Sequence, residues 1–166
     1  MIKEKKSIDK KVTEILEKGY EAHYMLRRVL QDDTLFLENK DIIDVIFIQR
    51  ESMDSLEFES EPNSPARLLI ATNYGILFME EGFKEITDNY LGYKLKRIYY
   101  DKIDSVEIDI CMLKGKFKIL TGGKENFVVD FNTTDYFKQF EEFIKIIHDN
   151  IMERKQGFFT NFVKSK

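Results

Sequence analysis

The side chains best suited to acid-base, nucleophilic or metal chemistry are thin in this 166-residue chain: two histidines, one cysteine and a scatter of carboxylates. His23 and His148 fall on predicted helices beside apolar residues, the setting of a flanking imidazole rather than of a general base. Cys111 sits between Ile110 and Met112 with no histidine near it in sequence, so a buried, inert thiol is expected. Two His and one Cys make no recognisable zinc spacing. Gly122-Gly123 is not followed by the Lys-Ser/Thr and helix of a phosphate loop. The pairs Glu80-Glu81 and Glu141-Glu142 carry no pattern beyond solvation. Neither a catalytic set, a cofactor nor a metal is expected, and the chain is read as a non-enzyme.

Basic residues offer binding chemistry instead. Lys94, Lys96 and Arg97 in one segment, and Lys114, Lys116 and Lys118 in another, alternate along predicted strands. Such a row could line one sheet face and hold anionic lipid heads or an acidic partner. In the opposing reading Glu107 and Asp109 pair with these lysines across strands, leaving a solvated, balanced face; that reading is preferred. Tyr93, Tyr99 and Tyr100 near Lys94 and Arg97 could stack on single-stranded nucleic acid, but tyrosine is common in strands and nucleic acid is not expected as a partner. Near the C-terminus, Phe158, Phe159, Phe162 and Val163 lie among Arg154, Lys155, Lys164 and Lys166. This stretch could touch a membrane interface or another subunit, or fold back on its own domain.

The elements that position these residues follow from periodicity. Residues 7 to about 30 read as helix, with Ser7 as N-cap, Ile8, Val12, Ile15, Leu26 and Val29 on one stripe, and a possible break at Gly19. Asp41–Gln49 reads as a strand apolar on both faces, with the N-terminal helix a candidate cover. Residues 50–66 hold both prolines and read as a polar loop, with an irregular edge strand open around Leu56–Phe58. A hairpin pairs 67–72 with 75–80; Asn73 tolerates positive φ and Gly75 carries no steric cost there. After a polar excursion over 81–92 come strands at 93–100, 103–110, 113–120 and 126–131, the last two joined by a turn at Gly122-Gly123. The final helix is capped by Asn132, Thr133 and Thr134 and carries Phe137, Phe140, Ile144, Ile147 and Ile151 at spacings of three and four.

Seven strands and a terminal amphipathic helix follow the order of a pleckstrin-homology fold. Leu68-Leu-Ile-Ala-Thr-Asn-Tyr-Gly-Ile-Leu-Phe78 resembles the second and third strands of the bacterial PH-like group (the YokE-like PH domains). Ile98-Tyr-Tyr-Asp-Lys-Ile-Asp-Ser-Val-Glu107 resembles the same group's aromatic-acidic-x-Ile-x-Ser-Val join, and Met112-Leu-Lys-Gly-Lys-Phe-Lys-Ile119 its next Gly-centred strand. The likeness covers about 41–153. It implies an α+β chain: a PH-like, partly open antiparallel β-barrel capped by the C-terminal helix and preceded by an N-terminal helix. The expected organisation is a helical segment at 1–35, the PH-like domain at 36–153 and an aromatic, basic tail at 154–166.

The family implies a binding scaffold, with self-association through exposed strand edges as one use. A protein partner, above all another copy, is therefore the first expectation, and an anionic membrane surface the second. Phosphoinositide binding between the first two strands is disfavoured. Arg50 and Arg67 border that loop, but Glu51, Asp54, Glu57, Glu59 and Glu61 fill it. A net charge of -4 also argues against a general polyanion binder. One thiol, a charged N-terminus without an apolar run and no long apolar segment lead to an expected cytoplasmic location.

Overall fold

Ile42–Ile48 (β1) is apolar at six of its seven positions because both of its faces are buried. This computed structural model describes residues 2–17, 24–31, 42–50, 65–82 and 93–164. The breaks and turns expected at Gly19 and 32–37, the strand open at 56–58, the excursion over 83–92 and His23 lie outside them. The element order is α1 (Ile2–Glu17), α2 (Tyr24–Gln31), β1, β2 (Arg67–Thr72), β3 (Gly75–Glu81), β4 (Tyr93–Tyr99), a 3-10 turn (Tyr100–Lys102), β5 (Ser105–Cys111), β6 (Lys114–Thr121), β7 (Lys124–Asn132) and α3 (Thr133–Lys164). The seven strands divide into a four-stranded sheet, β1-β2-β3-β4, and a three-stranded sheet, β5-β6-β7. They form an α+β, PH-like arrangement of two antiparallel sheets, and among the described residues no hydrogen-bonded strand pair links one sheet to the other.

The chain separates into two units, Met1–Thr72 with Leu77–Arg97, and Asn73–Ile76 with Ile98–Lys166. In the first, Val45 stands opposite Ile70 and Phe47 opposite Leu68, so these side chains share one sheet face. Ile15 of α1 and Leu26, Val29 and Leu30 of α2 pack on that face, with Ile8, Val12 and Leu16 at its margin. The N-terminal helices therefore cover β1, as the strand's apolar character required. α1 begins at Ile2, so Ser7 lies inside the helix and does not cap it. The one acid in β1, Asp44, is 2% exposed and takes a 2.7 Å hydrogen bond from Nζ of Lys11 on α1.

In the second unit the aromatic side chains make the core. Phe117 of β6 meets Phe140 of α3 at 5.0 Å between ring centroids and Phe143 edge-on at 6.3 Å. Phe131 of β7 stacks on Phe140 at 4.2 Å. The register places Gly115 opposite Phe131, and a Cβ on Gly115 would lie 2.2 Å from that ring. Asn132 caps α3, its side-chain oxygen accepting the Thr134 N–H at 2.9 Å. The Gly122-Gly123 turn takes φ of +59° and +70°, the conformation a tight two-residue hairpin needs. At the β2–β3 hairpin the reason for glycine differs from the expected one. Neither Asn73 nor Gly75 has positive φ. Instead, a Cβ on Gly75 would stand 2.1 Å from the Ile98 carbonyl oxygen, so glycine lets two backbones approach.

α3 also runs beyond the point where the sequence suggests an aromatic tail. Its backbone is helical through Phe158, Phe159 and Phe162 to Lys164; the side chains of these three lie outside the described ones.

Candidate functional site

The apolar positions of α3 fall on two adjoining rows rather than one. Phe140, Phe143 and Ile147 are fully buried. Phe137 and Ile144, one step round the helix, are half-buried. They line an open groove of about 470 Å³ together with Glu141, Lys145, His148 and, from β5, Ile108. The narrower stripe expected from Phe137, Phe140, Ile144, Ile147 and Ile151 did not include Phe143. The signal for it was there: Phe140, Phe143 and Ile147 also follow a three-four spacing.

β5 forms the wall of this groove and is a terminal strand of its sheet. Its inner neighbour β6 sets the pairing: Val106 opposite Ile119, Ile108 opposite Phe117, Ile110 opposite Gly115. Phe117 packs on α3, so this row of β5 lies on the helix side. Yet Ile108 is 37% and Ile110 42% exposed. The turn that follows exposes Met112, at φ 50°, and Leu113. Cys111 is exposed as well, which corrects the expectation of a buried thiol. Among the described residues β5 has no second neighbouring strand, and hydropathy alone does not mark that position.

The other row of β5 is acidic. Glu107 stands opposite Lys118 and Asp109 opposite Lys116. Lys116 is also opposite Asp130 of β7, at 3.5 Å between Nζ and Oδ1. The outer face of this sheet is thus a balanced charge ladder rather than a lysine surface. Lys114 is exposed opposite Cys111. Lys94, Lys96 and Arg97 are exposed on β4, which ends the other sheet. The two basic rows therefore belong to different sheets and different units.

The arginines that border the first loop are engaged. Nε and Nη2 of Arg50 donate to the carboxylate of Glu81, which is 1% exposed and also accepts the Ala66 N–H at 3.2 Å. Arg67 Nε donates to Glu80 at 2.7 Å. Charge-assisted pairs of this kind hold these arginines on β3.

His148 is exposed, with Nδ1 3.3 Å from Asp149 Oδ1. Among the described residues no group of three or more His, Cys, Asp or Glu is placed to hold a metal ion. None of their helices is long and apolar enough to cross a membrane. Burial pushes the Tyr100 phenol up to about 12, against the opposing charge of Arg154.

The family model described as Bacterial PH domain matches residues 37–147. The chain belongs to the bacterial PH domain family. That match spans β1 to the first half of α3, the same stretch on which the hairpin and Gly-centred motifs lie. No curated protein and no solved structure matches the chain. As a bacterial PH domain the chain is a binding module in the general sense.

Proposed function

We propose that this bacterial PH domain is a non-catalytic protein-binding module, that it takes its partner at the open edge of β5 and the adjoining groove, and that the partner is another copy of the chain. One observation carries the reading: β5 ends its sheet with Ile108 and Ile110 exposed beside a groove floored by Phe137 and Ile144. An uncovered strand edge offers a row of backbone donors and acceptors to an added strand, and alternate side chains of that strand enter whatever lies beside it. The groove holds one imidazole and one carboxylate, His148 and Glu141, with an open mouth, which gives little support to acid-base chemistry. The charge ladder of Glu107, Asp109, Lys116 and Lys118 supports a protein partner over an anionic membrane, because carboxylates interleave the lysines.

Sedimentation velocity on the full chain over rising concentration tests this. A dimer or larger species is expected, weakened by Ile110→Lys. That side chain is 42% exposed, so the lysine keeps the fold. A monomer at the highest concentration, or co-sedimentation with anionic vesicles in its place, overturns the reading.

A further inference from the structure

Building on that self-association, we infer that copies join head to tail, the β4 edge of one adding to the β5 edge of the next. The two sheets each end in one of these strands. Their charges are opposite. Tyr93–Tyr99 carries Lys94, Lys96 and Arg97 and no acid, whereas Ser105–Cys111 carries Glu107 and Asp109 and no base. Both sets of side chains are exposed.

β5 against its own copy is a poor match in the registers centred near the middle of the strand, which pair most of its length. Antiparallel pairing about Ile108 sets Glu107 across from Asp109 of the other copy. Pairing about Glu107 or Asp109 sets that carboxylate across from itself. Like charges directly opposite destabilise a strand pair.

β4 fits, and β5 already accepts the same pattern on its inner side. There Lys118, Phe117 and Lys116 stand opposite Glu107, Ile108 and Asp109. Lys96, Leu95 and Lys94 repeat the order lysine, apolar, lysine. In the antiparallel register that puts Lys96 opposite Glu107, Leu95 meets Ile108, Lys94 meets Asp109 and Tyr93 meets Ile110. Each β5 carboxylate then lies between two lysines, one from β6 and one from the added strand. Leu95, which also packs at the margin of its own unit's core, and Tyr93 fall on the helix side, beside the groove lined by Phe137 and Ile144. Lys96 and Arg97 also have contacts within their own chain, so the match rests on sign and spacing and not on idle side chains. Because two different edges meet, the contact is heterologous and builds a ring or an open filament rather than a closed two-fold pair.

Charge exchange in the full chain tests the register. Lys94→Glu with Lys96→Glu makes both edges acidic, and Glu107→Lys with Asp109→Lys makes both basic. Each variant alone is expected to self-associate about tenfold more weakly or worse, since like charges then face each other. An equimolar mixture restores association, because every junction pairs acid with base again. Wild-type association weakens as salt rises. Circular dichroism checks that each variant folds. Where Lys116 and Lys118 prevent the basic variant from folding, Glu107→Gln with Asp109→Asn takes its place, and loss of the salt dependence is expected. If Lys94→Glu with Lys96→Glu associates as the wild type does, or a folded mixture stays as weak as its parts, the β4–β5 junction is wrong while self-association stands. A wild type that is monomeric throughout removes both.

Discussion

Arg154 lays its guanidinium over the ring of Tyr100, 5.5 Å from the centroid. It also donates to the carbonyl of Asn73, and the Tyr100 N–H donates to the carbonyl of Tyr74 at 3.3 Å. One side chain of α3 thus ties the β2–β3 turn to the 3-10 turn within the second unit. A cation over an aromatic face and a charge-assisted bond to a carbonyl contribute about 1–2 kcal/mol together. Arg154→Ala is expected to lower unfolding free energy by that amount, read from urea titration. Arg154→Lys should recover only part, because an ammonium does not span ring and carbonyl as a planar fork does. A change within error for Arg154→Ala would remove the clip.

Tyr100 gives the chain a defined alkaline limit. Its phenol ionises near 10.0 when unfolded and at about 12 when folded, because it is buried. Below the lower value both states hold the proton and the buried ring contributes in full. Between the two values the unfolded chain releases its proton first, so stability falls as pH rises. Tyr100→Phe cannot ionise. Its urea midpoint should therefore drop less than that of the wild type between about pH 9 and about pH 11.5. Equal drops would show that this phenol does not set the slope.

Gly75 and Gly122 should respond to alanine in different degree. At Gly75 a Cβ meets the Ile98 carbonyl and the Tyr99 backbone, at 2.1 and 2.8 Å, and neither can swing aside. Gly75→Ala must displace paired backbone and should cost upwards of about 2 kcal/mol. At Gly122 the Cβ meets open space and only the φ of +59° is unfavourable, at about 1 kcal/mol. Thermal unfolding of both variants gives the order; a smaller loss at Gly75 would contradict the close approach.

How far the sequence could be read depends on which force sets each feature. The Gly122-Gly123 turn and the cap at Asn132 are local, governed by φ preferences and short side-chain bonds, and they are legible in the residues themselves; the β2–β3 hairpin is legible in its place but not in its cause, since Gly75 answers to the Ile98 backbone. The cover on β1 is legible too, because an apolar run on both faces needs something on each. The edge position of β5 is not. Val106, Ile108 and Ile110 alternate with polar residues as in any half-buried strand, and only sheet order leaves the isoleucines exposed. The six basic residues on two strands have the same alternation, but which sheet each strand joins is a long-range outcome. Arg154 looks like one of several tail cations, and its partners at 73 and 100 are too distant in sequence to infer.

The Lys11–Asp44 pair should be asymmetric when broken. Asp44 is 2% exposed, and its Oδ2 has no hydrogen-bond partner among the described residues, so Lys11 is the cation that offsets its burial. Lys11→Met leaves a carboxylate inside the α1–β1 packing without that cation and should cost about 3 kcal/mol. Asp44→Val instead supplies a strand-forming apolar residue to the core. The lysine it leaves is 32% exposed and can carry its ammonium to water along a flexible stem. That loss should stay below about 1 kcal/mol, and the double variant should sit near Asp44→Val alone. Urea titration of the three chains measures the cycle. Equal losses for the two single variants would mean that Asp44 is not held in the core by α1, and the docking of the N-terminal helix on β1 would need another basis.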